Sequence, residues 1–264
     1  INNLTGGAYF HLIMIGLALF ALFITLGGMK VIGYTDVIQV LVLTIGGLIT
    51  SYIALTVVAE KFGYGHNALA GLNHLVKAAP DHFKMIFDKP TASSTQKQID
   101  DYSSLPGIAM MIAGMWVANI NYWGCNQYIT QRALGADLKT ARTGILFAAL
   151  LKIFMPLLVV VPGIAAYVLY QNGELQQQMM TAGVVNQDNA YSSVISFLPV
   201  GLKGLSLAAL TAAIVASLAG KANSISTIYS LDIYKKYINK EADDKKIVST
   251  GRIMIIASLI IGIM

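Results

Sequence analysis

The residues most able to do chemistry sit where a sequence should be least polar. Between 105 and 131 the chain carries no charge, yet it places Asn119, Asn121, Tyr122, Trp123, Asn126, Gln127 and Tyr128 in close succession. In an α-helix, Asn119, Tyr122, Trp123 and Asn126 fall at i, i+3, i+4 and i+7 and share one face. An amide, a phenol and an indole on one face suit a sugar. Hydroxyls need hydrogen bonds, and the apolar face of a sugar ring stacks on an aromatic. The same residues would equally serve a polar helix–helix contact beside an interfacial aromatic belt.

Lys152 is the next such residue, ten positions into an apolar run that also holds Pro156 and Pro162. An ammonium that deep needs a partner or a hydrated cavity. It could donate to a sugar hydroxyl or pair with a carboxylate on another helix. The two prolines should kink or break the helix that carries it. A third group lies in the Ala-rich run 208–220, where Ala213 and Ser217 stand four apart. Backbone carbonyls freed by a bend, with a hydroxyl, can ligate Na⁺ through hard oxygens; close packing of small residues against another helix is the structural alternative. Asp36 opens the run that follows Tyr34 and Thr35. That position suits a helix N-cap and also a waypoint for a departing cation.

The elements that must position these residues are membrane spans. Of 264 residues, 56% are hydrophobic and 12% charged, where a soluble domain carries about 25% charged. The mean hydropathy is +0.64. About 20 apolar helical residues cross a bilayer. Six runs qualify, at about 8–29, 37–59, 105–131, 142–170, 198–231 and 247–264. They are too long and too little alternating for strands. An outer loop covers 60–104 and a cytoplasmic loop 232–246. The whole chain is a single transmembrane domain. It begins without Met and ends inside an apolar run, so a piece of a longer protein is expected. Loops 30–36, 132–142 and 232–252 hold ten Lys and Arg in 39 positions; 60–101 and 171–203 hold six in 75. The positive-inside rule puts the first set in the cytoplasm of a multi-pass inner (plasma) membrane protein. A short amphipathic helix is expected near 68–79, lying along the membrane surface.

The formal charge of +5 does not point to nucleic acid, because the basic residues cluster between apolar runs. One cysteine excludes a disulfide scaffold and multi-Cys metal sites. His66, His74 and His82 stand eight apart, which is not a metal spacing on a helix. No carboxylate pair or nucleophile–base pair lies mid-span, and no GxxxxGK[ST] motif is present, so an enzyme is disfavoured. A repeated filter loop, the mark of a channel, is also missing.

Taken in order, several segments resemble one family. Asn119-x-x-Tyr122-Trp123-Gly124-x-Asn126-Gln127-Tyr128-x-x-Gln131-Arg132 resembles the sixth core helix of the solute:sodium symporter family, in particular of bacterial sodium/galactose (sodium/glucose-type) co-transporters. Thr35 to Val40 with Gly46-Gly47 resembles the fifth helix, and Pro162 to Val168 the end of the seventh. Leu198 to Gly204 and Asp232 to Lys235 bracket the eighth.

The resemblance implies an all-α, LeuT-type inverted-repeat fold, of which this chain corresponds to core helices four to nine. It implies sodium-coupled uptake of a galactose- or glucose-like sugar by alternating access. By the same resemblance, Asn119 and Lys152 match sugar hydrogen-bonding positions. Tyr122 matches the aromatic that closes the sugar site from the cytoplasm, with Trp123 beside it. Ala213, Ala216 and Ser217 match sodium positions, and Asp36 a carboxylate on the sodium exit route. The family commonly has two adjacent serines where this chain has Ala216-Ser217, and Lys221 follows one turn later. A weakened sodium site is therefore expected; a proton-coupled or sodium-independent transporter of the same fold for another small polar solute is the alternative.

Overall fold

The computed structural model describes residues 9–105, 107–181 and 183–263. Apolar runs of this length satisfy their backbone internally as helices, the only open-ended structure a bilayer tolerates. Five helical stretches among the described residues are long and apolar enough to cross a membrane: Gly28–Lys61, Gln96–Cys125, Leu138–Gln171, Val200–Ile238 and Asp244–Ile263. A sixth apolar helix, α1 (Phe10–Leu26), has 17 residues. The expected limits at 8 and 264 lie outside the described residues.

The first two spans join differently from expectation. No loop occupies 30–36: α2 (Gly28–Lys61) begins directly after Gly27. Gly28 makes the turn with a φ of 79°, a left-handed backbone that glycine adopts at little cost. The polar residues Lys30 and Asp36 therefore ride on a helix. Asp36 lies more than two turns inside α2 and is not its N-cap.

Helix α3 (Ala68–Ala78) forms where an amphipathic helix is expected, capped by Asn67, whose side chain accepts from the Leu69 and Ala70 amides. It does not lie free on a membrane surface. It packs on α2 so closely that a Cβ at Gly71 would stand 2.1 Å from Leu55 O. Leu75 on its inner face joins Ala54 and Val58 of α2 and Ile164, Ala165 and Leu169 of α8 (Leu138–Gln171) in the main core. The remaining outer segments are α4 (Gln96–Ser104), α9 (Gln176–Met179), a small hairpin pairing β1 (Met180–Thr181) with β2 (Val184–Val185), and α10 (Ala190–Ile195). Tyr191 of α10 reaches Thr50 of α2; burial pushes its phenol above the usual range, against that hydrogen bond.

Pro156 and Pro162 do not break α8, which runs continuously through both. Neighbouring helices can satisfy backbone groups near a proline. Here Ser51 of α2 donates to Leu157 O at 2.5 Å, and Gly47 lets Leu158 approach, a Cβ there meeting it at 3.1 Å. Helix α11 (Val200–Thr227) packs its small residues on α1, burying Leu17, Ala21, Val215 and Ala219 together. Helix formation then continues as a π-helix over Ile228–Ile238, so the loop expected at 232–246 is shorter. Helix α12 (Asp244–Ile263) follows.

Candidate functional site

The third span is where the chain departs most from a uniform helix. It runs through α5 (Gly107–Ala109), a π-helical stretch Met110–Gly114, α6 (Met115–Ile120) and a second π-helical stretch Asn121–Cys125. It then breaks at Asn126, whose backbone is extended, with φ −82° and ψ 113°. Asn126 restarts the chain as α7 (Gln127–Leu134), its side chain accepting from the Tyr128 amide at 3.0 Å. Asn is a preferred N-cap because its carbonyl satisfies an orphan amide. The expected single face of Asn119, Tyr122, Trp123 and Asn126 is therefore not formed. A π turn shifts the register, and Asn126 belongs to the next helix. Such π insertions are frequent at functional sites.

The wide turn brings two of the four residues together with Lys152. The rings of Tyr122 and Trp123 meet edge to face, with centroids 5.4 Å apart and an angle of 84°. Lys152 Nζ from α8 lies 4.6 Å from each ring centroid. The ammonium is thus cradled by two π faces, a favourable electrostatic arrangement. Lys152 is exposed rather than buried, and its partners here are aromatic, not a carboxylate. Asn119 is also exposed, and its amide turns back on its own helix, donating to Met115 O at 2.8 Å. Three of the four expected sugar-site residues, Lys152, Tyr122 and Trp123, therefore cluster, with Lys152 and Tyr122 exposed and Trp123 half-buried.

On α11, Ala216 is buried, while Ala213 and Ser217 are half-buried and Lys221 is exposed. The helix is unbroken across all four, so no backbone carbonyl is freed by a bend at this point.

Asp36 is held by Arg132, which falls where the sequence predicts a basic loop. Its Oδ2 lies 2.8 Å from Nη2 of Arg132 on α7. The Arg132 guanidinium also covers the Tyr128 ring at 4.3 Å. On the same helix, Gln131 donates to Ser224 Oγ of α11 at 2.8 Å, and Asn223 donates to Gln131 Oε1 at 3.5 Å. Gly220 makes this seating possible, since a Cβ there would stand 2.3 Å from the Tyr128 ring. The sequence signal for α7 lies in the four-residue spacing of Gln127 with Gln131 and of Tyr128 with Arg132; its partners leave no such signal. The histidines do not gather: His74 stacks on Phe62 and His82 on Tyr167, while His66 meets Glu60. No group of three or more His, Cys, Asp or Glu suited to a metal occurs among the described residues.

Long apolar helices, a polar span that breaks at Asn126 and an ion pair held between helices are compatible with a secondary transporter. The chain belongs to the sodium:solute symporter family, whose sequence model matches residues 1–264. It is 46% identical over 257 residues to a sodium/glucose cotransporter of Vibrio parahaemolyticus, covering 94% of this chain and 45% of that protein. It is 29% identical over 272 residues to sodium/myo-inositol cotransporter 2 of Bos taurus, covering 96% of this chain and 38% of that one. Among solved structures, a Na⁺-coupled sialic acid symporter in a substrate-bound outward-open state superposes with a TM-score of 0.73 at 22% identity, covering 95% of this chain and 49% of that one. The fold is therefore LeuT-like, and the chain spans less than half the length of the relatives it matches. The family is one of transporters, not enzymes, and the chain is a multi-pass membrane protein.

Proposed function

We propose that the full-length protein couples sodium entry to uptake of a galactose- or glucose-like sugar across the plasma membrane by alternating access. The observation that carries this reading is Lys152 set over the Tyr122–Trp123 corner, at 4.6 Å from both rings, where the third span turns π-helical. Two aromatic faces offer a stacking surface for the apolar side of a pyranose, and an ammonium offers three donors for its hydroxyls. Asn119 supplies an amide one turn away once its bond to Met115 O is exchanged for a hydroxyl. Tyr122 closes the site from the side that carries the basic loops. Ser217 contributes its hydroxyl to the α11 side of a sodium site, with Ala213 and Ala216 beside it on the same unbroken helix, and Asp36 marks the route by which the ion leaves.

The driving force is adequate. One charge crossing 100 mV yields about 2.3 kcal/mol, and a tenfold sodium gradient about 1.4 kcal/mol. Together they support accumulation on the order of several hundredfold.

Substrate identity is tested by sodium-dependent uptake of labelled galactose into proteoliposomes holding the full-length protein, with unlabelled galactose, glucose, myo-inositol and sialic acid as competitors. Competition by galactose and glucose at the lowest concentrations is expected. Competition by myo-inositol or sialic acid alone would redirect the substrate assignment.

A further inference from the structure

We propose that Arg132 is a tethered cation that competes with the departing ion for Asp36, and so governs release on the side that carries the basic loops. This rests on the sodium-coupled reading above and assigns a positioning role to a residue outside the sugar and sodium sites.

The pair joins two separate elements, Asp36 on α2 and Arg132 on α7, and both side chains are largely withdrawn from solvent, at 26% and 29% exposure. Arginine–carboxylate pairs are frequently bidentate, with two parallel bonds from the guanidinium fork. This one is not. Nη2 meets Asp36 Oδ2 at 2.8 Å, Nη1 donates to Tyr128 O at 3.4 Å, and Nε is buried without a partner. A contact through one nitrogen is easier to exchange than a fork.

The guanidinium has a second partner at the same time: while paired to Asp36 it lies 4.3 Å above the Tyr128 ring, a π face that would still hold the cation if the carboxylate were taken. The helix beneath stays fixed, because Gln131 is bonded to Ser224 and Tyr128 is seated at Gly220. The side chain can therefore swing while its backbone remains in place.

Arginine does not give up its proton in proteins. A sodium ion at Asp36 therefore faces a permanent positive charge a few ångströms away in a low-dielectric setting, where repulsion is strong. Either the ion sits at the carboxylate and Arg132 keeps only its contact with Tyr128, or Arg132 re-forms the pair and expels the ion. The return stroke favours release and opposes re-entry.

The test is sodium-driven sugar uptake into proteoliposomes of the full-length protein, with sodium on the release side titrated to give its half-inhibitory concentration. Removing the competitor while keeping the carboxylate, in Arg132→Gln, should lower that concentration about tenfold, the scale of a partly buried ion pair. Removing the carboxylate, in Asp36→Asn, should raise it. Arg132→Lys keeps a competing charge and should stay within about twofold of the parent; it carries the test if Arg132→Gln fails to reach the membrane. A purely structural ion pair would move Arg132→Gln and Asp36→Asn in the same direction, which would overturn the proposal while leaving sodium coupling intact. A parent protein whose uptake ignores sodium would overturn the sodium reading, and this proposal with it.

Discussion

Lys152 Nζ stands 4.6 Å from the ring centroid of Tyr122, on a different span of the membrane. The contact gives a lysine exposed on an apolar helix a partner without a carboxylate. It also leaves the ammonium's donors free for a ligand, because a π face does not use them as hydrogen-bond acceptors would. A cation–π contact at an exposed position contributes only about 0.5–1 kcal/mol, so Lys152 is held in place more than it stabilises the fold.

The first prediction follows from that balance. Lys152→Ala should reduce sugar uptake at least a hundredfold while thermal unfolding of the purified full-length protein changes by no more than a few degrees. Tyr122→Phe retains the ring and should transport within about threefold of the parent; Tyr122→Ala should not transport. Equal uptake by Tyr122→Phe and Tyr122→Ala would remove the ring from the site.

A second prediction concerns the seat of α7. A Cβ at Gly220 would stand 2.3 Å from the Tyr128 ring and 2.9 Å from Arg132 Nη2. Gly220→Ala should therefore displace α7 and destabilise by about 1–3 kcal/mol, the usual cost of overpacking. Ser224→Ala, which deletes the hydrogen bond accepted from Gln131 and the one donated to Gly220 O, should cost about 1 kcal/mol. Thermal unfolding in detergent orders the two; a neutral Gly220→Ala would contradict the packing.

The crossing of α11 and α12 offers a third. A Cβ at Gly251 would lie 2.8 Å from Ser226 Oγ and 3.2 Å from Ser230 Oγ, while Ser226 donates to Gly251 O at 2.9 Å. Gly251→Ala should destabilise by about 1–3 kcal/mol. Adding Ser226→Ala makes room for the new methyl, so the double variant should lose less than the sum of the two singles. Strict additivity would mean the two residues do not share the contact.

The elements were legible in the sequence to different degrees. Runs of about 20 uncharged residues have few structural options in a bilayer, so the long helices could be read from length alone. The junction at Gly27 and Gly28 could not, because Lys30 and Asp36 mimic a polar loop and only the φ of Gly28 reveals a turn without one. In the site, Lys152, Tyr122 and Trp123 were recognisable as polar or aromatic groups in an apolar setting. Their meeting depends on π-helical backbone, whose altered register leaves no periodic trace in the sequence. Asn126 leaves the expected face for the same reason. Arg132 was hidden differently: it falls where a basic loop is expected, and Asp36 lies far from it in sequence.

The sodium site yields a fourth prediction. Ala216 lacks the hydroxyl that a second serine would supply, and Lys221 is exposed one turn beyond Ser217 on a continuous helix. Ala216→Ser adds an oxygen ligand and Lys221→Met removes a nearby charge. Each should lower the half-saturating external sodium concentration for sugar uptake. No change in either variant would separate this stretch of α11 from the ion.

The most direct test of sodium-driven sugar transport uses full-length protein in proteoliposomes with labelled galactose equal on both sides at the start. An imposed inward sodium gradient, with pH equal across the membrane, should drive net accumulation that collapses when the gradient is dissipated. Accumulation driven by an inward proton gradient in the absence of sodium, with none produced by sodium, would contradict it.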